Sequence, residues 1–304
     1  MRSAAIAALA VAVAAAPVER ATSAINDGVI LNYALTLEHL ENAFYAAGVK
    51  QFTEKDFLKA GSQDPLFYKN LQEIASDEQT HVTFLTGALK AAGVTPTSPC
   101  TYDFGYKDAA GFLATAAILE GVGVSAYLGA AQYIANKQYL TYAGSILTVE
   151  ARHSAYLRRN QSPAQSPFPS PFDVPLDFDE VYTLAAGFIK SCPSTNPALP
   201  VKAFPSLSAT SKGPIYQGSK IALKVAKSVD AKAAYIITTT GPVQATLSGH
   251  GDSYTVTIPS SAQNGQEYIV LTSCTSPPTD DNIVAGPAII EVATKDEKSD
   301  SKHY

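Results

Sequence analysis

Between residues 26 and 159 apolar side chains recur at spacings of three and four, the period that lines one face of an α-helix, and the pattern divides into four long segments. It predicts helices over about 26–48, 64–92, 108–136 and 138–159, with a shorter fifth helix over about 178–191 packed outside. The 93–107 connection is longer than a tight turn needs, and can carry the chain across the end of a bundle before the third helix. The fourth helix must stop at the Pro-rich stretch 162–175, because proline removes amide donors and fixes its own backbone angle. Past Pro200 the period changes. Short β-branched runs at 234–240, 253–258 and 267–272 are separated by Gly, Pro, Asn and Ser, the pattern of a small antiparallel sandwich. The expected fold class is α+β and multidomain, with a helical bundle over 22–195 and a β-sandwich over 205–293.

Composition narrows the setting. The hydrophobic content is 46% and the formal net charge is -5, with no block of Lys or Arg. The basic footprint that neutralises nucleic-acid phosphates or grips an anionic membrane is missing, which sets both partners aside. Met1-Arg2 followed by the small apolar run 4–16 and Pro17 reads as a signal peptide over 1–16, too short for the roughly 20 apolar residues of a bilayer span. The tail 294–304 is polar, unlike a lipid-anchor signal. A secreted, extracellular product is expected, in which disulfides are permitted. Of the three cysteines, Cys100 and Cys192 sit in polar, Pro-flanked connections at the edges of the helical half, whereas Cys274 ends a strand-like run. The expected bridge is Cys100–Cys192.

The second helical stripe runs Leu71, Ile74, Glu78, His81, Val82, Leu85, Leu89, so a carboxylate and an imidazole interrupt a core-facing row. The fourth repeats this in Ala143, Ile146, Leu147, Glu150, His153, Leu157. Burying an unpaired carboxylate costs several kcal/mol, and a metal cation is the simplest compensation. Helices one and three add Glu38 and Glu120 within apolar runs, each followed seven residues on by a tyrosine, Tyr45 and Tyr127. The half-bundle therefore occurs twice, which predicts a pseudo-twofold site where two metals share carboxylates. Glu41 also sits three residues from Glu38. Glu38 is preferred because its spacing to Tyr45 reproduces that of Glu120 to Tyr127, leaving Glu41 either to orient a histidine or to pair with a surface lysine. His39 is expected to face out, and His250, in a Gly-His-Gly-Asp turn, to be a solvated loop residue. Gly121, Gly123 and Gly129 each weaken the third helix by roughly 1 kcal/mol against Ala. They imply either close helix packing or room for a small molecule beside the metals. Asn160-Gln-Ser162 is a formal glycan acceptor spoiled by Pro163.

The order Glu, Glu-x-x-His, Glu, Glu-x-x-His resembles the ferritin-like di-iron and di-manganese carboxylate proteins, which include bacterioferritin, rubrerythrin and manganese catalase. The wider context, from 31–41 through Ala126-Tyr-Leu-Gly129 to Gly286-Pro-Ala-Ile-Ile-Glu291, is similar to the exported ferritin-like proteins of fungi tied to stress response and sexual development, and to plant desiccation-related proteins. The resemblance implies that Glu38 and His81 bind one metal, Glu120 and His153 the other, and that Glu78 and Glu150 bridge both. It implies two iron ions or two manganese ions. From the doubled half-bundle, Tyr45 and Tyr127 are expected to support the ligands, each phenol donating to the terminal carboxylate of the other half. The expected partner is a small oxidant, dioxygen or peroxide. The competing expectations are an iron store and a non-catalytic extracellular or cell-wall protein that makes contact through its β domain.

Overall fold

The computed structural model describes residues 25–62 and 64–294. The expected signal peptide, and the tail from residue 295 on, lie outside the described residues. The first long helix, α1 (Asp27–Gln51), starts where the Asn26 side chain accepts the Val29 amide at 3.1 Å. A short helix not foreseen in the sequence, α2 (Glu54–Lys59), follows at once. Its capping box, Thr53 with Asp56, satisfies the free amides of so short a turn. Then α3 (Phe67–Ala91) runs back along α1.

The long connection does more than cross a bundle end, for it climbs the whole length of α1. Val94 packs against Gly28, the Asn32 side chain bonds Thr95 O and the Thr97 amide, and Phe104 and Tyr106 pack on Phe44. This corrects the expectation for His39. Its ring is buried under the connection, with Nε2 3.1 Å from Thr97 O.

Helix α4 (Ala109–Ala131), capped by Asp108, and α5 (Lys137–Arg159), capped by Asn136, complete the bundle. By length and composition α4 is apolar enough to cross a membrane, but two-thirds of its most apolar stretch is buried inside this fold. A helix that is apolar all round needs cover on all sides. Here α1 and α5 flank it, while α6 (Phe178–Ala186) and the sheet close its outer face. The fifth predicted helix was expected to reach residue 191, yet α6 ends at Ala186. Ile189–Ser191 instead pairs with Thr101–Tyr102 as the two-stranded sheet β1 (Thr101–Tyr102) and β2 (Ile189–Ser191). The bridge Cys100–Cys192 fastens this pair, with Cα atoms 4.2 Å apart, and Cys274 is free. Peptide mapping without reductant is expected to recover Cys100 joined to Cys192. Reduction should lower stability by about 2–4 kcal/mol, the usual worth of a bridge closing a long loop; a bridge to Cys274 would contradict this arrangement.

The remaining strands are β3 (Leu207–Ala209), β4 (Lys220–Val229), β5 (Ala233–Ile237), β6 (Val243–Thr257), β7 (Gly265–Thr272) and β8 (Ile283–Val292), all antiparallel in the order β3-β4-β6-β5-β7-β8. The long β6 pairs with β5 through its first residues and with β4 through its last, so it passes from one layer to the other. The two ends of the order meet where the Gly286 amide donates to Pro205 O, which nearly closes the sheet around Ile221, Val256, Ile269 and Leu271. His250 lies in β6 and is exposed.

This sheet packs on the bundle through specific groups. Tyr268 of β7 reaches Ser125 Oγ (2.8 Å) and Gly121 O (3.2 Å) of α4. Arg158 at the end of α5 is buried and forks onto Glu291 of β8 at 2.9 and 2.6 Å. A planar guanidinium matches a carboxylate in two parallel bonds, which fixes orientation as well as distance.

Candidate metal centre

Each of the four long helices turns one glutamate toward the bundle axis, and Glu38, Glu78, Glu120 and Glu150 are wholly inaccessible. His81 and His153 lie one helical turn beyond Glu78 and Glu150 and are also buried, at 8% and 7% exposure. The six side chains form two overlapping quartets, Glu38, Glu78, His81, Glu150 and Glu78, Glu120, Glu150, His153, whose ligand atoms lie within 4.8 Å of one another. Glu78 and Glu150 are the shared members. His81 Nδ1 stands 3.2 Å from Glu38 Oε2, 3.3 Å from Glu150 Oε1 and 3.5 Å from Glu78 Oε2. His153 Nδ1 stands 3.1 Å from Glu78 Oε1 and 3.4 Å from Glu120 Oε2.

The polar atoms at the centre are badly served by the protein alone. Both oxygens of Glu78 and of Glu150, one oxygen of Glu120, and His153 Nδ1 are buried with no hydrogen-bond partner. Native folds rarely leave such groups orphaned, and six of them converging on one spot call for cations. Carboxylate oxygens and imidazole nitrogens in these proportions suit iron or manganese. The donor set therefore fits a pair of metals.

The tyrosines complete a crossed arrangement. Tyr45, on the helix of Glu38, donates to Glu120 Oε1, and Tyr127, on the helix of Glu120, donates to Glu38 Oε1 at 2.5 Å. Burial, then the charge of the carboxylate each one faces, pushes both phenols well above their usual pKa, so they remain donors. Each spends one lone pair of a terminal carboxylate and leaves the other oxygen turned to the cluster.

One contributor escaped the sequence reading. Asp77 Oδ2 lies 3.2 Å from His153 Nε2 and orients that ring, although the aspartate is itself half exposed. The sequence signal was its place directly before Glu78; the matching position before Glu150 is Val149, so the repeat is broken there. Glu41 is buried at 4% exposure rather than paired with a surface lysine. Its carboxyl is pushed well above the usual range by burial and then by Glu150, Glu78, Glu120 and Glu38. In the repeat, Glu41 corresponds to Gly123, three residues beyond Glu120. A Cβ at Gly123 would lie 3.1 Å from Glu41 Oε1 and 3.2 Å from Glu150 Oε2, so the missing side chain of one half makes room for the extra carboxyl of the other. Of the other two glycines, Gly129 meets the backbone of Leu176 and Gly121 the side chain of Gln266. Both are packing positions.

Residues 26–162 match the family model described as Ferritin-like domain. The bundle from α1 to α5 has a ferritin-like fold. The matched segment takes in all six cluster residues and stops before α6 and the sheet. Among solved structures, a protein of Bacillus anthracis str. Ames described as ferritin like, diiron-carboxylate is 21% identical, with 44% of this chain and 98% of that one covered and a TM-score of 0.37. A conserved hypothetical protein from Mycobacterium tuberculosis is 18% identical, with 43% and 86% covered and a TM-score of 0.36. No curated protein matches the chain.

The electrostatics give the centre an opposite pH response with and without metal. Burial pulls the His81 ring down, but the carboxylates of Glu150, Glu38 and Glu78 that surround it outweigh this and raise the ring to about 12. His153 goes likewise to about 11, where burial is outweighed by Glu120 and then Glu78. A histidine raised on folding contributes stability that is complete below its unfolded pKa of about 6.5 and is lost as pH climbs toward the folded value. Glu150, raised by burial and then by Glu78, also holds its proton better folded than unfolded, so its contribution fades above the ordinary value of 4.5. Both signs agree. Chelator-treated protein is expected to lose stability as pH rises from about 5 to 9, at about 1.4 kcal/mol per pH unit for each proton linked. Metal affinity should rise over the same range, because ligands must be deprotonated to bind. Thermal melts of loaded and chelated samples should therefore separate progressively with pH; chelated protein gaining stability above pH 6.5 would contradict the assignment.

Proposed function

We propose that the protein binds a di-iron or di-manganese centre on Glu38, Glu78, His81, Glu120, Glu150 and His153, and that the loaded protein reacts with dioxygen or peroxide. The observation that carries this reading is the pair of quartets sharing Glu78 and Glu150, whose oxygens have no other partner. Two bound metals would supply a two-electron change divided between adjacent ions. The protein's part is positional. Glu78 and Glu150 would help to hold both ions, while Tyr45 and Tyr127 hold the outer carboxylates at one oxygen and Asp77 holds the His153 ring. The cluster is shut away from bulk water, which strengthens every interaction inside it.

The size of the reactant is supported by an apolar cavity of about 30 Å³ against Tyr127, lined also by Leu31, Ala34, Leu85 and Ile146. That space suits a water-sized or diatomic molecule. An extracellular setting is supported by the Cys100–Cys192 bridge, since disulfides persist in oxidising compartments, and by the resemblance to exported fungal proteins. Storage in a closed shell is disfavoured, because α6 and the sheet occupy the outer face of α4.

The test is metal content together with oxygen and peroxide consumption by the reduced, loaded protein. Turnover of at least one oxidant is expected. Tyr45→Phe and Tyr127→Phe should slow it roughly 10–100-fold while metal stays bound, the usual effect of losing a group that orients a ligand. A fully loaded protein inert toward both oxidants would overturn the redox reading and leave the centre a structural one.

A further inference from the structure

A second, larger cavity of about 280 Å³ lies between α1, α4, the end of α6 and β8. Its wall is apolar: Leu37, Leu40, Val122, Leu184, Phe188 and Ile289 supply most of it. One titratable side chain lines it, and that is Glu41, buried and without a hydrogen-bond partner among the described residues. Gly123 lines it too, and a Cβ there would stand 3.2 Å from Glu150 Oε2, so a single glycine separates the cavity from a shared carboxylate of the centre. Both histidines come from α3 and α5. The cavity thus abuts the cluster on the side of α1 and α4, which brings no imidazole.

We propose that this cavity binds an uncharged, mainly apolar organic molecule carrying one hydroxyl, which forms a hydrogen bond with Glu41 beside the metal centre. A buried carboxyl facing this wall, protonated or not, is a polar group awaiting a hydrogen-bond partner, which a ligand hydroxyl can supply because no other residue lining the cavity carries a polar side chain. The rest of the wall rewards apolar surface and offers nothing to neutralise a charged ligand. Volume sets the size at roughly a dozen non-hydrogen atoms, on the scale where an apolar cavity of about 150 Å³ holds one benzene. Repeat symmetry adds an argument. The position equivalent to Glu41 in the second half is Gly123, so the carboxyl is an addition to the doubled plan, and the matching glycine leaves it space at the cavity floor. The inference deepens the di-metal reading and rests on it for what the bound molecule adjoins.

The probes are 4-ethylphenol and 4-ethyltoluene, which differ only by hydroxyl against methyl, titrated calorimetrically into the full chain in chelated and metal-loaded form with metal content measured in each. Saturable binding of the phenol about tenfold or more tighter than the toluene is expected, the fold-change a hydrogen bond to a buried carboxyl gives. Glu41→Leu should abolish that preference while keeping apolar binding, and Glu41→Gln should retain it. Ala185→Leu, which adds three carbons inside the cavity wall, should weaken both probes about tenfold or more. No saturable binding by the wild type, equal affinity for the two probes, or unchanged binding in a folded Ala185→Leu would overturn the proposal. Metal without phenol binding sinks the pocket and leaves the centre standing; phenol binding by a chain that takes up no metal does the reverse.

Discussion

Replacing Glu78 and Glu150 together by alanine is expected to reduce bound metal from two ions per chain to near none. Each quartet contains both residues, so the double change leaves one site with Glu38 and His81 and the other with Glu120 and His153. Two protein ligands hold an exchangeable transition metal poorly against chelator, whereas four surround it. A terminal change is different in kind. Glu38→Ala touches one quartet only, and about one ion per chain should remain. Stability offers an independent readout. A ligand present at a hundredfold its dissociation constant adds about 2.7 kcal/mol, so two ions add roughly 5. For a domain of this size that amounts to about 10 °C or more. Chelation should therefore lower the wild-type melting temperature by that amount and leave the double variant unmoved. Full occupancy in the double variant would refute the assignment of Glu78 and Glu150 as shared ligands.

The buried Glu and His cluster was legible because it contradicts the helical pattern around it. A glutamate in the middle of an apolar stripe has no reason to be there unless something pays its desolvation, and Glu78 and Glu150 each occur with a histidine one turn on. Doubling made the pattern specific. What periodicity could not decide was the direction of a side chain near the edge of a stripe. Glu38 and Glu41 both lie on the inner half of α1, and only the packed bundle separates their roles. Asp77 was hidden for the opposite reason. It sits on the solvent side of α3, where a carboxylate is ordinary, and it reaches His153 only because α5 passes beside it.

The helices were legible to within a few residues, since long apolar-rich segments with Asn or Asp caps carry their own boundaries. The departures occur where tertiary partners decide. Residues 189–191 follow a helix and would extend it by propensity, but Thr101–Tyr102 offers a strand to pair with, and the Cys100–Cys192 bridge holds the two together. His39 looked like a surface residue because nothing in the local pattern announces a segment arriving from residues 93–107. The Asn32 side chain, bonded to both Thr95 and Thr97, is what draws that segment onto α1. Such long-range partners leave no periodic trace.

Gly129→Ala is expected to be among the most damaging single changes in the chain, and Gly144→Ala to have the opposite sign, although both glycines lie inside bundle helices. An added methyl at Gly129 would fall 1.7 Å from the carbonyl oxygen of Leu176, a backbone atom that cannot rotate away. That backbone is anchored close by, where the Leu176 amide donates to Ser125 O of α4 at 3.1 Å. Val174, Leu176 and Phe178 are buried in the same stretch, which delivers the chain to α6. Relief would require the whole segment to lift from α4, losing that hydrogen bond and part of the core beneath it. Overpacking of this kind costs about 3 kcal/mol or more, a drop of roughly 6–12 °C in melting temperature for a domain of this size. At Gly144 nothing lies within 4 Å of the added carbon, so alanine meets no obstacle and gains its better helix propensity, up to about 1 kcal/mol. Thermal unfolding of the two variants, each with its metal content measured, decides the matter. If Gly129→Ala melts with the wild type, the 174–178 segment does not dock on α4 as described, and the small residue there has another cause.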